Sequence, residues 1–114
     1  MRVVPLLNNI DASLIINSVA YEPDCGQDMR YLIQITKTGA DGNPQLYLEE
    51  SLDEVVWTCI PNYEDDTEFF LLDEDEIGIR DSYFMGKYLR LRILPNGTTT
   101  GTISATIGVK TKSV

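Results

Sequence analysis

"KYLRLRILPNGTTTGTISATIGVK" (87–110) is the stretch whose reading decides the fold. In its first half Leu89, Leu91 and Ile93 fall on one side and Tyr88, Arg90 and Arg92 on the other, the period of two of a half-buried strand. "PNGTTTG" follows, a turn carrying Asn96–Gly97, a pair that accepts positive φ at both centre positions. "TISATIGVK" then resumes the alternation, with Ile103, Ala105, Ile107 and Val109 opposed to Thr102, Ser104 and Thr106. Two such runs joined by Asn-Gly predict an antiparallel hairpin.

Outward from that stretch, short strand-like runs separated by turn chemistry fill the chain. "RYLIQIT" (30–36) sets Tyr31, Ile33 and Ile35 against Leu32, Gln34 and Thr36. "KTGADGNP" then reads as a hairpin loop, with "QLYLEE" (45–50) returning antiparallel, Leu46 and Leu48 inward and Tyr47 and Glu49 outward. "VVWTCI" (55–60) places Val55, Trp57 and Cys59 on the core face, and "EFFLL" (68–72) is a further strand. "SLIINSVA" (13–20) is another, while "DEIGIRDSYFM" has room for one helical turn. "RVVPLL" (2–7) contains Pro5, which lacks a backbone N–H and belongs at an edge, as a first strand or within an extended arm over 1–12. About eight short strands at roughly ten-residue spacing, with no amphipathic helix, predict a single all-β domain over 1–114, an antiparallel β-sandwich of jelly-roll-like topology.

Composition narrows the function. The chain has 114 residues, 9 Lys and Arg against 18 Asp and Glu, and a net charge of −9, which argues against nucleic acid and anionic membranes as partners. No apolar run reaches the length of a membrane span, and the N-terminal residues make a poor signal peptide, so synthesis in a cytoplasm is expected. Histidine is absent. That removes Ser–His and Cys–His nucleophilic pairs and the side chain best suited to proton transfer at neutral pH. With no Gly-rich phosphate loop either, no enzymatic activity and no cofactor are expected. Cys25 and Cys59 match no metal motif; two free thiols are expected of a protein made in a reducing compartment, a disulfide between them being the alternative.

Two constellations remain. Nine of the eighteen acids lie between Glu64 and Asp81. A solvated pair of loops is the plain reading; an acidic face for a basic partner, or a calcium site drawing on Asp65, Asp73 or Asp75, is the sharper one. The EF-hand spacing is not met. Around "ESLDEVVWTCIP", Ser51 and Asp53 suit a turn in which short polar side chains accept backbone N–H groups. Trp57, Tyr47, Asp53 and Asn62 could serve as a sugar platform, but the alternation sets Trp57 toward the core.

"ESLDEVVWTCIP" together with "GKYLRLRILPNGTTTGTISATIGVKTK" resembles a pattern of small structural proteins of tailed bacteriophages: a serine–x–aspartate–x–x–x–tryptophan turn, a K-Y-L-R-L-R strand, a Gly/Thr turn and a Thr-rich last strand. The likeness covers about residues 30 to 112. It is nearest to auxiliary capsid or head-decoration proteins, among them those of crAss-like phages. Glu54 stands where that turn commonly has glycine, and similar turns occur in discoidin-like and carbohydrate-binding sandwiches. The resemblance implies a non-enzymatic virion protein, made in the host cytoplasm, that binds the major capsid protein or other virion proteins and can self-associate. Tyr88, Arg90 and Arg92, with Val3 and Val4 at the N-terminus, are the candidate docking residues; Arg90 and Arg92 would otherwise balance the acidic loops. The alternatives are a tail, fibre or connector subunit, or a glycan-binding module.

Overall fold

The computed structural model describes residues 2–23, 28–80 and 86–111. Nine strands appear in chain order: β1 (Arg2–Asp11), β2 (Ile16–Asn17), β3 (Asp28–Thr38), β4 (Gln45–Ser51), β5 (Thr58–Ile60), β6 (Phe70–Leu71), β7 (Glu76–Arg80), β8 (Tyr88–Leu94) and β9 (Thr102–Thr111). One sheet has the order β1-β9-β3-β7 and the other β2-β8-β4-β5, with β6 also on β4. All the named pairings are antiparallel. This interleaved order, in which early and late strands alternate within each sheet, is the wrapping of a jelly roll. Among the described residues there is no helix.

Alternation builds the core. Ile33, Ile35, Ile103, Ala105, Ile107 and Val109 of the first sheet meet Leu46, Leu48, Ile60, Leu89, Leu91 and Ile93 of the second, in one buried cluster. Val3 and Val4 lie in β1, opposite Gly108 and Ile107 of β9, so residues 2–11 form the first strand of the sandwich. Pro5 sits on that edge strand, beside a register shift, where a missing N–H breaks no ladder on the open side.

Several elements differ from the sequence reading. β8 and β9 do not pair: β8 lies between β2 and β4, β9 between β1 and β3. The expected β3–β4 hairpin is likewise a crossing between sheets. The Asn96–Gly97 turn itself is as expected, with φ of 49° and 84° and a Thr98 N–H donating to the Pro95 carbonyl at 2.9 Å. What it turns is a link between sheets. Seven residues span well over the ~10 Å that separates packed sheets, so link length does not distinguish the two connections. "EIGIR" is strand β7 rather than a helical turn, because its isoleucines pair with Ile33 and Ile35 of β3; the rest of that expectation, 81–85, lies outside the described residues. β2 is only two residues long, and Leu14, Ile15 and Val19 beside it are exposed. β6 is shorter than expected too, at Phe70–Leu71, though Leu72 beyond it is fully buried.

The two crossings clasp each other. Asp41 Oδ1 accepts the amides of Thr99 (2.7 Å) and Thr100 (3.2 Å), and Oδ2 accepts the Thr99 hydroxyl. The Thr99 hydroxyl first, then its amide, holds the Asp41 carboxyl down at about 2. Asn96 Nδ2 donates to the Asn43 carbonyl at 3.0 Å. Gly101 has φ +100°, and a Cβ there would stand 2.6 Å from the Ala40 backbone. Beneath the clasp Lys37, 7% exposed, donates through Nζ to the carbonyls of Leu72 (2.6 Å) and Gly42 (3.3 Å) and to Asn43 Oδ1 (3.2 Å). Three acceptors meet an ammonium's three donors, which is what makes burial of that charge tolerable. Nearby Thr98 Oγ1 is buried with no hydrogen-bond partner.

Two outcomes follow from the clasp. Replacing Thr98 by Val removes an unsatisfied hydroxyl at little change of volume, and urea melts should show a gain of about 1 kcal/mol. Because the folded Asp41 carboxyl titrates below its ordinary 3.8, its contribution is present above that value and lost as pH falls through about 2. The difference in melting temperature between the native chain and Asp41→Ala should therefore be full at neutral pH and close progressively below pH about 4.

Candidate docking face

The outer face of the β2-β8-β4-β5 sheet gathers the aromatic and guanidinium groups. Register sets them in cross-strand rows: Tyr88 beside Ser51, Arg90 beside Glu49, Arg92 beside Tyr47, and Cys59 on the far side of Glu49. Arg90 Nε donates to Glu49 Oε1 at 2.9 Å, and the same guanidinium lies 4.1 Å from the Trp57 ring centroid. Arg92 lies 5.9 Å from the Tyr47 centroid. Tyr47 in turn meets Phe69, with centroids 5.8 Å apart and planes inclined by 52°. Each cation is thus held against an aromatic face, which favours a fixed side chain over a solvated one. Arg90 pairs with Glu49 of the neighbouring strand, not with the acidic loops.

Trp57 corrects the sequence reading. Strand β5 begins at Thr58, and its register places Ile60 opposite Leu48 and Cys59 opposite Glu49. Ile60 therefore enters the core, at 2% exposed, while Val55 and Val56 are exposed at 78% and 68%. Trp57 is half-buried at the surface, its indole N–H donating to the Glu54 carbonyl at 3.2 Å. The alternation projected across 55–60 fails because 52–57 is a turn, where strand parity does not apply.

That turn is built as the sequence suggests. Ser51 Oγ accepts the amides of Asp53 (3.2 Å) and Glu54 (2.9 Å). Asp53 Oδ1 accepts those of Val55 (2.9 Å) and Val56 (3.0 Å). The Val56 and Val55 amides, then the Ser51 hydroxyl, hold the Asp53 carboxyl below its ordinary value. Glu54 sits at φ +62°, the left-handed region where glycine is at ease.

The remaining candidates lie elsewhere. Val3 is exposed, and Val4 half-buried, on the edge strand of the other sheet, so they do not join the Tyr88–Arg90–Arg92 row. Asp65 accepts from Asn62 Nδ2 at 3.3 Å; Asp73 and Asp75 are exposed. Among the described residues no three carboxylates or thiols converge in the way a metal ion requires. Cys59 carries a free thiol, its Sγ 3.0 Å from the Glu68 carbonyl; burial, then Glu68 and Glu49, push it above the usual thiol range, away from the reactive thiolate. Cys25 lies outside the described residues. No protein-family model, curated protein or solved structure matches the chain. The fold alone is shown: a small all-β protein of two antiparallel sheets.

Glu54→Gly relieves the left-handed strain without disturbing the Ser51 and Asp53 hydrogen bonds. Denaturant unfolding should show the variant more stable by about 1 kcal/mol.

Proposed function

We propose that this chain is a non-enzymatic structural protein of a tailed-phage virion, an auxiliary head protein that docks on the capsid shell through the outer face of the β2-β8-β4-β5 sheet. The observation that carries the reading is the ordered row of Trp57, Arg90, Tyr47 and Arg92, stacked and hydrogen-bonded within one sheet face. Tryptophan, tyrosine and arginine are the residues that most often dominate interface energetics. Holding them in place beforehand lowers the ordering cost of association. The resemblance of residues 86–112 to phage structural proteins supports the same reading, and jelly rolls are a recurrent capsid architecture, though a fold by itself assigns no function. On a lattice, many copies make modest affinity per copy sufficient.

A glycan-binding role is the second reading, favoured by the surface position of Trp57; the Arg90 guanidinium that covers part of the ring weighs against it.

Quantitative mass spectrometry of purified particles from the encoding phage tests the proposal. Hundreds of copies in fixed ratio to the major capsid protein are expected, with Arg92→Glu weakening co-sedimentation with heads by roughly two orders of magnitude. A few copies per particle would move the chain to the tail or connector. Absence from particles, with Trp57 fluorescence quenched or shifted by polysaccharide, would favour the glycan module.

A further inference from the structure

On the side of the sandwich where β7 and the β5–β6 segment run, a groove of about 590 Å³ opens. One wall is the edge of β7, which ends the order of its sheet. The Lys37 amide donates to the Asp75 carbonyl at 2.8 Å, and the register pairs Thr36 with Glu76. In an antiparallel ladder, bonded and non-bonded pairs alternate. Ile77 and Ile79 therefore spend their backbone groups on β3, and the N–H and C=O groups of Glu76, Gly78 and Arg80 point away from it, toward the groove. Gly78 in the middle of that row has no side chain, as befits a strand to which another backbone comes close. The apolar lining includes Ile77, Phe70 and Leu71, and the charged lining is Glu64, Asp65, Asp73, Glu74 and Glu76, with Arg80 at the end of β7.

We infer that this groove binds an extended basic segment of another protein, which pairs as an added strand with β7 and sets lysine or arginine side chains against the acidic rim. Three features concur: an outward-facing row of backbone donors and acceptors, a partly apolar floor for alternate side chains, and a lining in which five carboxylates outweigh the single cation Arg80. Together they are what strand addition uses for affinity and selectivity. The rim charge, on a chain of net charge −9, disfavours a second copy as occupant and favours a cationic one. This site lies away from the Arg90–Trp57 face and does not depend on the role proposed for it.

A capped heptapeptide of alternating lysine and valine, titrated into the full chain labelled with ¹⁵N, tests the inference. The expected result is slowed hydrogen exchange at the amides of Glu76, Gly78 and Arg80, with binding lost when valine alternates with glutamate. Gly78→Pro, which removes the central outward N–H, should weaken the peptide by about tenfold or more. Should that variant fail to fold, the native chain and a backbone N-methylated peptide decide the same point, since that peptide keeps its charge but cannot pair. Equal binding of the N-methylated or the glutamate peptide, or no change in exchange at Gly78, would overturn the inference.

Discussion

Everything in this molecule turns on the passage of the chain from β8 to β9, which sets two adjacent alternating strands in opposite sheets with their apolar rows facing. Leu89, Leu91 and Ile93 look across the core at Ile103, Ala105, Ile107 and Val109. Had the two strands paired, these rows would have lain on one face of one sheet and needed a separate layer to cover them. Because they separate, each becomes an interior strand, β8 between β2 and β4 and β9 between β1 and β3. The second crossing, between β3 and β4, repeats the arrangement. Asp41, Thr99 and Thr100 bind the two links together, and Lys37 closes the end of the core beneath them.

Charge is segregated by the same wrapping. The strands that lie in the middle of the second sheet carry guanidinium and aromatic groups outward, where neighbours across the ladder satisfy them. Half of the acids lie between Glu64 and Asp81, and five of them line the groove beside β7. A protein of strongly negative net charge thus presents a broad face of ordered Arg and aromatic groups and, away from it, an acidic groove. Two surfaces of such different chemistry suit different partners, the flat one through packed side chains and the groove through backbone pairing.

The turn over 51–57 links sequence to surface most directly. Two short side chains, Ser51 and Asp53, satisfy four consecutive backbone amides, forcing the chain into a tight bend that leaves Glu54 in a left-handed conformation. The bend delivers Trp57 onto Arg90 at the point where β5 begins. A residue that strand parity would have buried becomes part of the outer face.

Strand content, the inward and outward faces of β3, β4, β8 and β9, the Asn-Gly turn and the Ser51–Asp53 corner are all consequences of local sequence. They follow from alternation and from side chains that bond to their own backbone within a few residues. The outward placement of Arg90 and Arg92 was legible for the same reason. Which strand pairs with which was not, since links of six or seven residues can either fold back or cross ~10 Å to the opposite sheet. Nor was the side on which Trp57 lies, because a turn resets parity and only the Leu48–Ile60 pairing restores it. Burial of Lys37 was not legible either: Gly42 and Asn43 are near it in sequence, but its shortest hydrogen bond goes to the carbonyl of Leu72, beyond β6, which reaches it only when the sandwich closes.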